Sequence, residues 1–219
     1  MLLMYTEQEQ NILAAALEVF GERGREGAKI QEVADRAGVN KALVHYYFRS
    51  KDRLYDLVID SAISNYFEKI GRVMEEADTF EQLLKSTIDT YLDIFTQQPH
   101  IRKLFFGEML RDEESFKAKL RQSVERAPRE VVPTFIKKMK QAQAAGEVRD
   151  LDPLQTFVSM IGCCIIIFIA FPMLSANIPE VANQRDALIA ARREHIFELL
   201  YNGLRNTPAP GEISDEETL

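Results

Sequence analysis

From Ile30 to Ala37 the apolar residues Ile30, Val33, Ala34 and Ala37 recur at i, i+3, i+4 and i+7, the period of a helix with one buried face. Gly38 follows where a helix end favours positive φ, and Asn40 is placed to cap the next element. That element has Val44, Tyr47 and Phe48 on its inner side, which turns Lys41, Ala42, His45 and Tyr46 outward. Upstream, Thr6 with Glu9 forms a capping box, and Ile12, Leu13, Ala16, Leu17 and Phe20 share a face until Gly21 and Gly24, where the first helix is expected to stop. Ser50 and Asp52 open a fourth helix carrying Leu54, Leu57, Val58, Ala62, Tyr66, Ile70 and Val73. The pattern predicts three short helices feeding a long one.

A second set follows Ala77. Thr79 with Gln82 caps a helix with Phe80, Leu84, Ile88, Tyr91 and Phe95 inward, and Pro99 begins another with Ile101, Leu104, Phe105 and Met109. Residues 113–145 are helical in pattern but kinked or split by Pro128 and Pro133, each of which removes a backbone donor. Asp152-Pro153 opens an apolar run, and Pro179 is expected to start a last helix reaching about Leu204. The tail TPAPGEISDEETL is Pro-rich and then acidic, and is expected to be disordered. No alternating strand pattern joins two apolar runs, so the fold class is all-α. The expected organisation is an N-terminal arm at 1–5, a helical domain at 6–66, a second helical domain at 67–206, and the tail at 207–219.

Charge changes the picture locally. The 219-residue chain carries a formal charge of −7, yet residues 36–53 hold Arg36, Lys41, Arg49, Lys51 and Arg53 against Asp52 alone. Such a basic patch in an acidic chain is a nucleic-acid footprint. The stretch from Leu154 to Ile178 lacks charge and is long enough to cross a bilayer. Gln155, Ser159, Pro172 and the absence of flanking basic residues favour a helix buried on all sides or at a dimer interface, so no membrane association is expected. The opening MLLMYTEQEQ has no basic region, so no secretory leader is expected and the protein is placed in the cytoplasm. The adjacent Cys163 and Cys164 fit reduced, buried thiols. His45, His100 and His195 are far apart and no ligand spacing accompanies them, so no metal is expected. No P-loop, GxGxxG or GxSxG pattern occurs; no cofactor and no catalytic residue are expected, and an enzyme ranks behind a regulator or a helical carrier protein.

VADRAGV at 33–39, NKALVHYYF at 40–48 and SKDRL at 50–54 stand in the order found in one group of proteins. Over residues 6–66 the chain resembles the TetR family of bacterial transcriptional regulators. The resemblance implies a helix-turn-helix at about 29–48 bound to double-stranded DNA, with Lys51 at phosphate, Lys41, Ala42 and Leu43 at base edges, and Tyr46 at backbone or base. His45 stands where the family most often has tyrosine, and Lys29 where it often has threonine; both remain candidate contacts, as does Gln31. It further implies a homodimer whose C-terminal helices enclose an apolar or amphipathic effector. Candidate lining residues are Tyr91, Phe95, Phe105, Met109, Phe135, Met139 and Met160. Candidate dimer residues are Ile165, Ile166 and Ile167 on the apolar run, with Ile189, Ile196 and Leu200 on the last helix.

Overall fold

The computed structural model describes residues 5–126 and 129–206. The chain is all-α, an N-terminal helix-turn-helix domain followed by a helical C-terminal domain. In order, the helices are α1 (Glu7–Gly27), α2 (Ile30–Ala37), α3 (Lys41–Phe48), α4 (Lys51–Glu76), α5 (Phe80–Gln97), α6 (Pro99–Arg111), α7 (Glu113–Arg126), α8 (Val131–Ala144), α9 (Pro153–Asn177), α10 (Pro179–Ala182) and α11 (Arg185–Leu204). The acidic tail at 207–219, Pro128 and most of the N-terminal arm lie outside the described residues.

Helix starts follow the capping residues. Thr6 accepts from Glu9 N while Glu9 reaches back to Thr6 N, Thr79 accepts from Gln82 N at 3.1 Å, and Asp152 accepts from Gln155 N at 2.7 Å ahead of Pro153. Pro133 sits in the first turn of α8, where its missing N–H has no intrahelical role. Two expected boundaries move. Gly21 does not stop α1; it is helical and buried, and the break falls at Gly24, which has φ 70° and ψ 175°. The last helix is not continuous from Pro179, because a turn at Asn183–Gln184 separates α10 from α11.

The chain divides into two compact units, Met1–Arg72 with Asp93–Glu130, and Val73–Leu92 with the chain from Val131 onward. In the first, Ile12, Ala16, Val19 and Phe20 of α1 pack with Val33 and Ala34 of α2, Val44 and Phe48 of α3, Leu54, Val58, Ile59 and Ile63 of α4, Leu104 of α6 and Phe116 of α7. Burying such side chains contributes about 1.5–3 kcal/mol each, and this fixes the small helices α2 and α3, which are too short to be stable alone. In the second unit Phe135 meets Phe80 at 6.3 Å and Phe157 at 5.2 Å between ring centroids. Lys138 donates to Glu75 O at 2.9 Å and to Ala77 O, satisfying carbonyls at the end of α4. Arg193 pairs with Asp89 at 2.9 Å, tying α11 to α5.

Of α9, Thr156, Phe157, Met160, Cys164 and Ile167 are buried. The helix is therefore not covered on every side, as a uniformly apolar run would suggest; Leu154, Val158, Ile166, Ile169 and Met173 are exposed. α9 is also long and apolar enough by composition to cross a membrane, with Pro172 inside it.

Candidate nucleic-acid interface

The turn between α2 and α3 is built from three local devices. Gly38 takes φ 66°, a conformation that costs an L side chain about 1–2 kcal/mol, and Val39 N then donates to Ala34 O at 3.0 Å. Asn40 accepts from Leu43 N at 2.8 Å, so α3 starts at Lys41. Asn11 of α1 donates to Ala37 O at 2.7 Å and satisfies the open end of α2. With Val44 and Phe48 buried at 1% and 2%, α3 presents Lys41, Ala42, His45 and Tyr46 to solvent, Tyr46 at 65% exposure. Leu43 and Tyr47 are half-buried beside that face. Lys29 is exposed at the start of α2, and Gln31 is exposed with its amide donating to Asp35 at 2.7 Å.

The basic cluster is not uniform. Lys51 Nζ donates to Glu26 O at 3.0 Å and Ala28 O at 3.2 Å, so it closes the end of α1 onto the start of α4 rather than standing free for phosphate. Arg36 forks onto Glu22 with both bonds at 3.0 Å, and the guanidinium holds the Glu22 carboxyl below its ordinary range. Arg49, at φ 67°, lies 6.0 Å from the Tyr46 ring centroid. The cations left for an outside anion are Lys29, Lys41, Arg49 and Arg53, all exposed. Arg49 and Arg53 stand in the basic patch read from sequence without an assigned contact, because a charge count weighs paired and unpaired cations alike.

A helix-turn-helix with its second helix exposed beside uncommitted cations is the arrangement that enters a major groove. The family profile described as "Bacterial regulatory proteins, tetR family" matches residues 12–58, the segment from α1 through the first turns of α4. Over that segment the chain is similar to the TetR family. Its relatives are DNA-binding regulators rather than enzymes. They include the transcriptional activator FasR of Mycolicibacterium smegmatis, 30% identical over 46% of each chain. The repressor NicS of Pseudomonas putida is 25% identical over 64% of this chain and 65% of its own. The regulator RutR of Escherichia coli K12 is 30% identical over 47% and 48%. The match thus spans about half to just under two thirds of these relatives' length. Among solved structures, Bacillus subtilis FadR in complex with stearoyl-CoA superposes with a TM-score of 0.67 at 17% identity, over 89% of this chain and 98% of that one. A TetR/AcrR-family regulator from Thermobifida fusca superposes at 0.66 with 21% identity, over 92% and 100%.

The seven candidate effector residues fall into two clusters. Phe95 and Phe105 belong to the first unit, their rings 6.1 Å and 5.2 Å from Tyr66, with Phe106 and Phe116 beside them. Met109, in the same unit, is 41% exposed. Tyr91, Phe135, Met139 and Met160 belong to the second unit and are buried within it. The candidate dimer residues also separate. Ile167, Ile189 and Ile196 are buried within the second unit. Ile165 and Leu200 are half-buried and Ile166 is exposed. Of the outer stripe of α9, sequence reasoning names Ile166 but not Leu154, Val158, Ile169 and Met173, which steps of three, four and eight place on the same helical face. In a run apolar all round, nothing distinguishes the covered side from the open one.

Proposed function

We propose that this chain is a homodimeric, ligand-responsive transcription regulator of the TetR family, a repressor that leaves a pseudo-palindromic operator when a small apolar or amphipathic effector binds. The observation that carries the DNA-binding reading is the outer face of α3, where Lys41, Ala42, His45 and Tyr46 are exposed while Val44 and Phe48 anchor the same helix. Lys41 offers a donor to guanine, Ala42 and the edge of Leu43 an apolar contact for thymine methyl, and Tyr46 a ring and a hydroxyl. Lys29, Arg49 and Arg53 supply phosphate contacts, and His45 a further donor.

The exposed stripe of α9 with Leu199 of α11 supports two-fold association, since a contiguous apolar face of this kind is rarely left in water. Paired recognition helices then meet half-sites about 34–36 Å apart. The effector class is supported by the aromatic cluster around Tyr66, by the buried Tyr91, Phe135, Met139 and Met160, and by the stearoyl-CoA complex of the FadR neighbour. Residues 6–66 act as the DNA-binding domain and 67–206 as the effector and dimerisation domain, in a cytoplasmic protein. A gel-shift against DNA flanking the gene tests the reading: a discrete complex that competitor DNA of random sequence fails to displace supports it. A protein that binds apolar ligands but no DNA would be the carrier instead.

A further inference from the structure

Glu108 of α6 is 1% exposed, an unusual place for a carboxylate. Its Oε1 accepts the Tyr55 hydroxyl of α4 at 2.6 Å, and Arg111 donates Nε to Oε1 at 3.0 Å and Nη2 to Oε2 at 3.1 Å, so both oxygens are engaged. Burial and the Glu108 bond raise the Tyr55 phenol above its ordinary value, which keeps it a neutral donor through the physiological range. Stability alone is a weak reason for this arrangement, because well-packed apolar residues in place of a buried ion pair are often neutral or stabilising. What a short hydrogen bond to a charged acceptor adds is direction: it fixes one registration of two helices.

Tyr55 is where three helices meet. Its ring lies edge-on to Phe20 of α1 at 4.8 Å, and the Arg25 guanidinium, at the far end of α1, sits 5.3 Å from the ring centroid. Arg25 is in turn held by Asp52 of α4 at 3.0 Å. The residue before Asp52, Lys51, binds the carbonyls of Glu26 and Ala28. Only Arg49 and Ser50 separate α3 from α4, and that link is tight: Ser50 N donates to Phe48 O at 2.7 Å and Leu54 N to Ser50 O at 3.1 Å. A rotation of the first turns of α4 therefore carries α3 with it.

We propose that Glu108, acting through Tyr55, is a positioning residue for operator recognition: an acidic, buried group that never touches DNA yet sets the angle at which α3 is presented. The proposal rests on the DNA-binding reading above. Misdirecting α3 removes base contacts, whereas loosely held phosphate contacts by Lys29, Arg49 and Arg53 survive. Specific and non-specific affinity must then separate.

The test uses the full-length protein, with operator and random DNA duplexes titrated by fluorescence anisotropy, and Tyr55→Phe, Glu108→Leu and Glu108→Gln as variants. Tyr55→Phe removes only the donor; Glu108→Gln keeps an acceptor for it. The expected result is a tenfold or greater loss of operator affinity for Tyr55→Phe and Glu108→Leu, unchanged affinity for random DNA, and near-complete rescue in Glu108→Gln. A merely structural role would lower both affinities together, in step with a fall in thermal midpoint, and that result overturns the proposal. So would variants that bind operator like the wild type. Wild-type protein showing no DNA preference at all would instead overturn the DNA-binding reading beneath it.

Discussion

Gly21 and His100 are in contact so close that a Cβ on Gly21 would lie 2.5 Å from His100 Cβ and 2.7 Å from its Cα. The glycine is helical and buried, so its role is closeness rather than unusual φ. It lets α6 approach α1 backbone to backbone, at the level where Phe20 reaches Tyr55. Gly21→Ala should gain roughly 1 kcal/mol in helix propensity and lose more through overpacking, a net destabilisation of about 1–2 kcal/mol. Chemical denaturation checks this. Shortening the opposing side chain, His100→Ala, leaves Cβ and Cα in place and should not restore the loss, which distinguishes a backbone clash from a side-chain one.

Lys51 should behave as a fastener. Lys51→Ala frees the carbonyls of Glu26 and Ala28 and should cost about 1 kcal/mol of stability, with the slope of log affinity against log salt unchanged. Arg53→Ala should leave stability alone and reduce that slope by about 1 per contact. A salt titration of both variants decides between them; a reduced slope for Lys51→Ala would restore it as a phosphate ligand.

The turn of the helix-turn-helix was legible at single-residue level because its determinants are local: Gly38 for positive φ, Asn40 for the cap, and Val44 with Phe48 four residues apart. Pairings across elements were not. Arg36 finds Glu22 fourteen positions away, Lys51 finds two carbonyls on another helix, and Glu108 inside FFGEML reads as one polar residue on a mixed face until Tyr55 arrives from α4. Gly21 reads as a stop because a glycine that breaks a helix and one that admits a neighbour look the same in sequence. Which of Ile165, Ile166 and Ile167 faces outward was not legible for a related reason: periodicity identifies an apolar face without saying which body covers it.

The outer stripe of α9 makes a prediction in two parts. Ile166→Asp and Ile169→Asp place charge on an exposed face and should give soluble monomers. Ile167→Asp places it in the interior, at 7% exposure, and should unfold the second unit or yield insoluble protein, since an unpaired buried charge costs several kcal/mol. Sedimentation velocity separates the cases; soluble dimers for both exposed variants would exclude this face as the interface.

Cys164 provides a pH test. Burial pushes its thiol up to about 12 from an ordinary value of 9.0, so the folded state keeps the proton that the unfolded chain releases. Its contribution to stability is complete below about pH 9 and declines as pH rises toward 12, where the folded thiol also ionises. At neutral pH a thiolate-selective reagent should label Cys164 only on unfolding, whereas labelling in the native state at the unfolded rate would contradict the burial.

If the outer face of α3 reads DNA sequence, its base preferences must depend on the side chains exposed there. The most direct test is an anisotropy titration of the wild type and Lys41→Ala against a duplex from the flank of the gene and against that duplex with single base changes. The wild type should prefer its site by at least ~10³ over random DNA, and Lys41→Ala should lose roughly 1–3 kcal/mol at one position in each half-site while other positions keep their preference. Equal affinity for all duplexes, or a Lys41→Ala variant whose base preferences match the wild type throughout, would contradict sequence reading by this face.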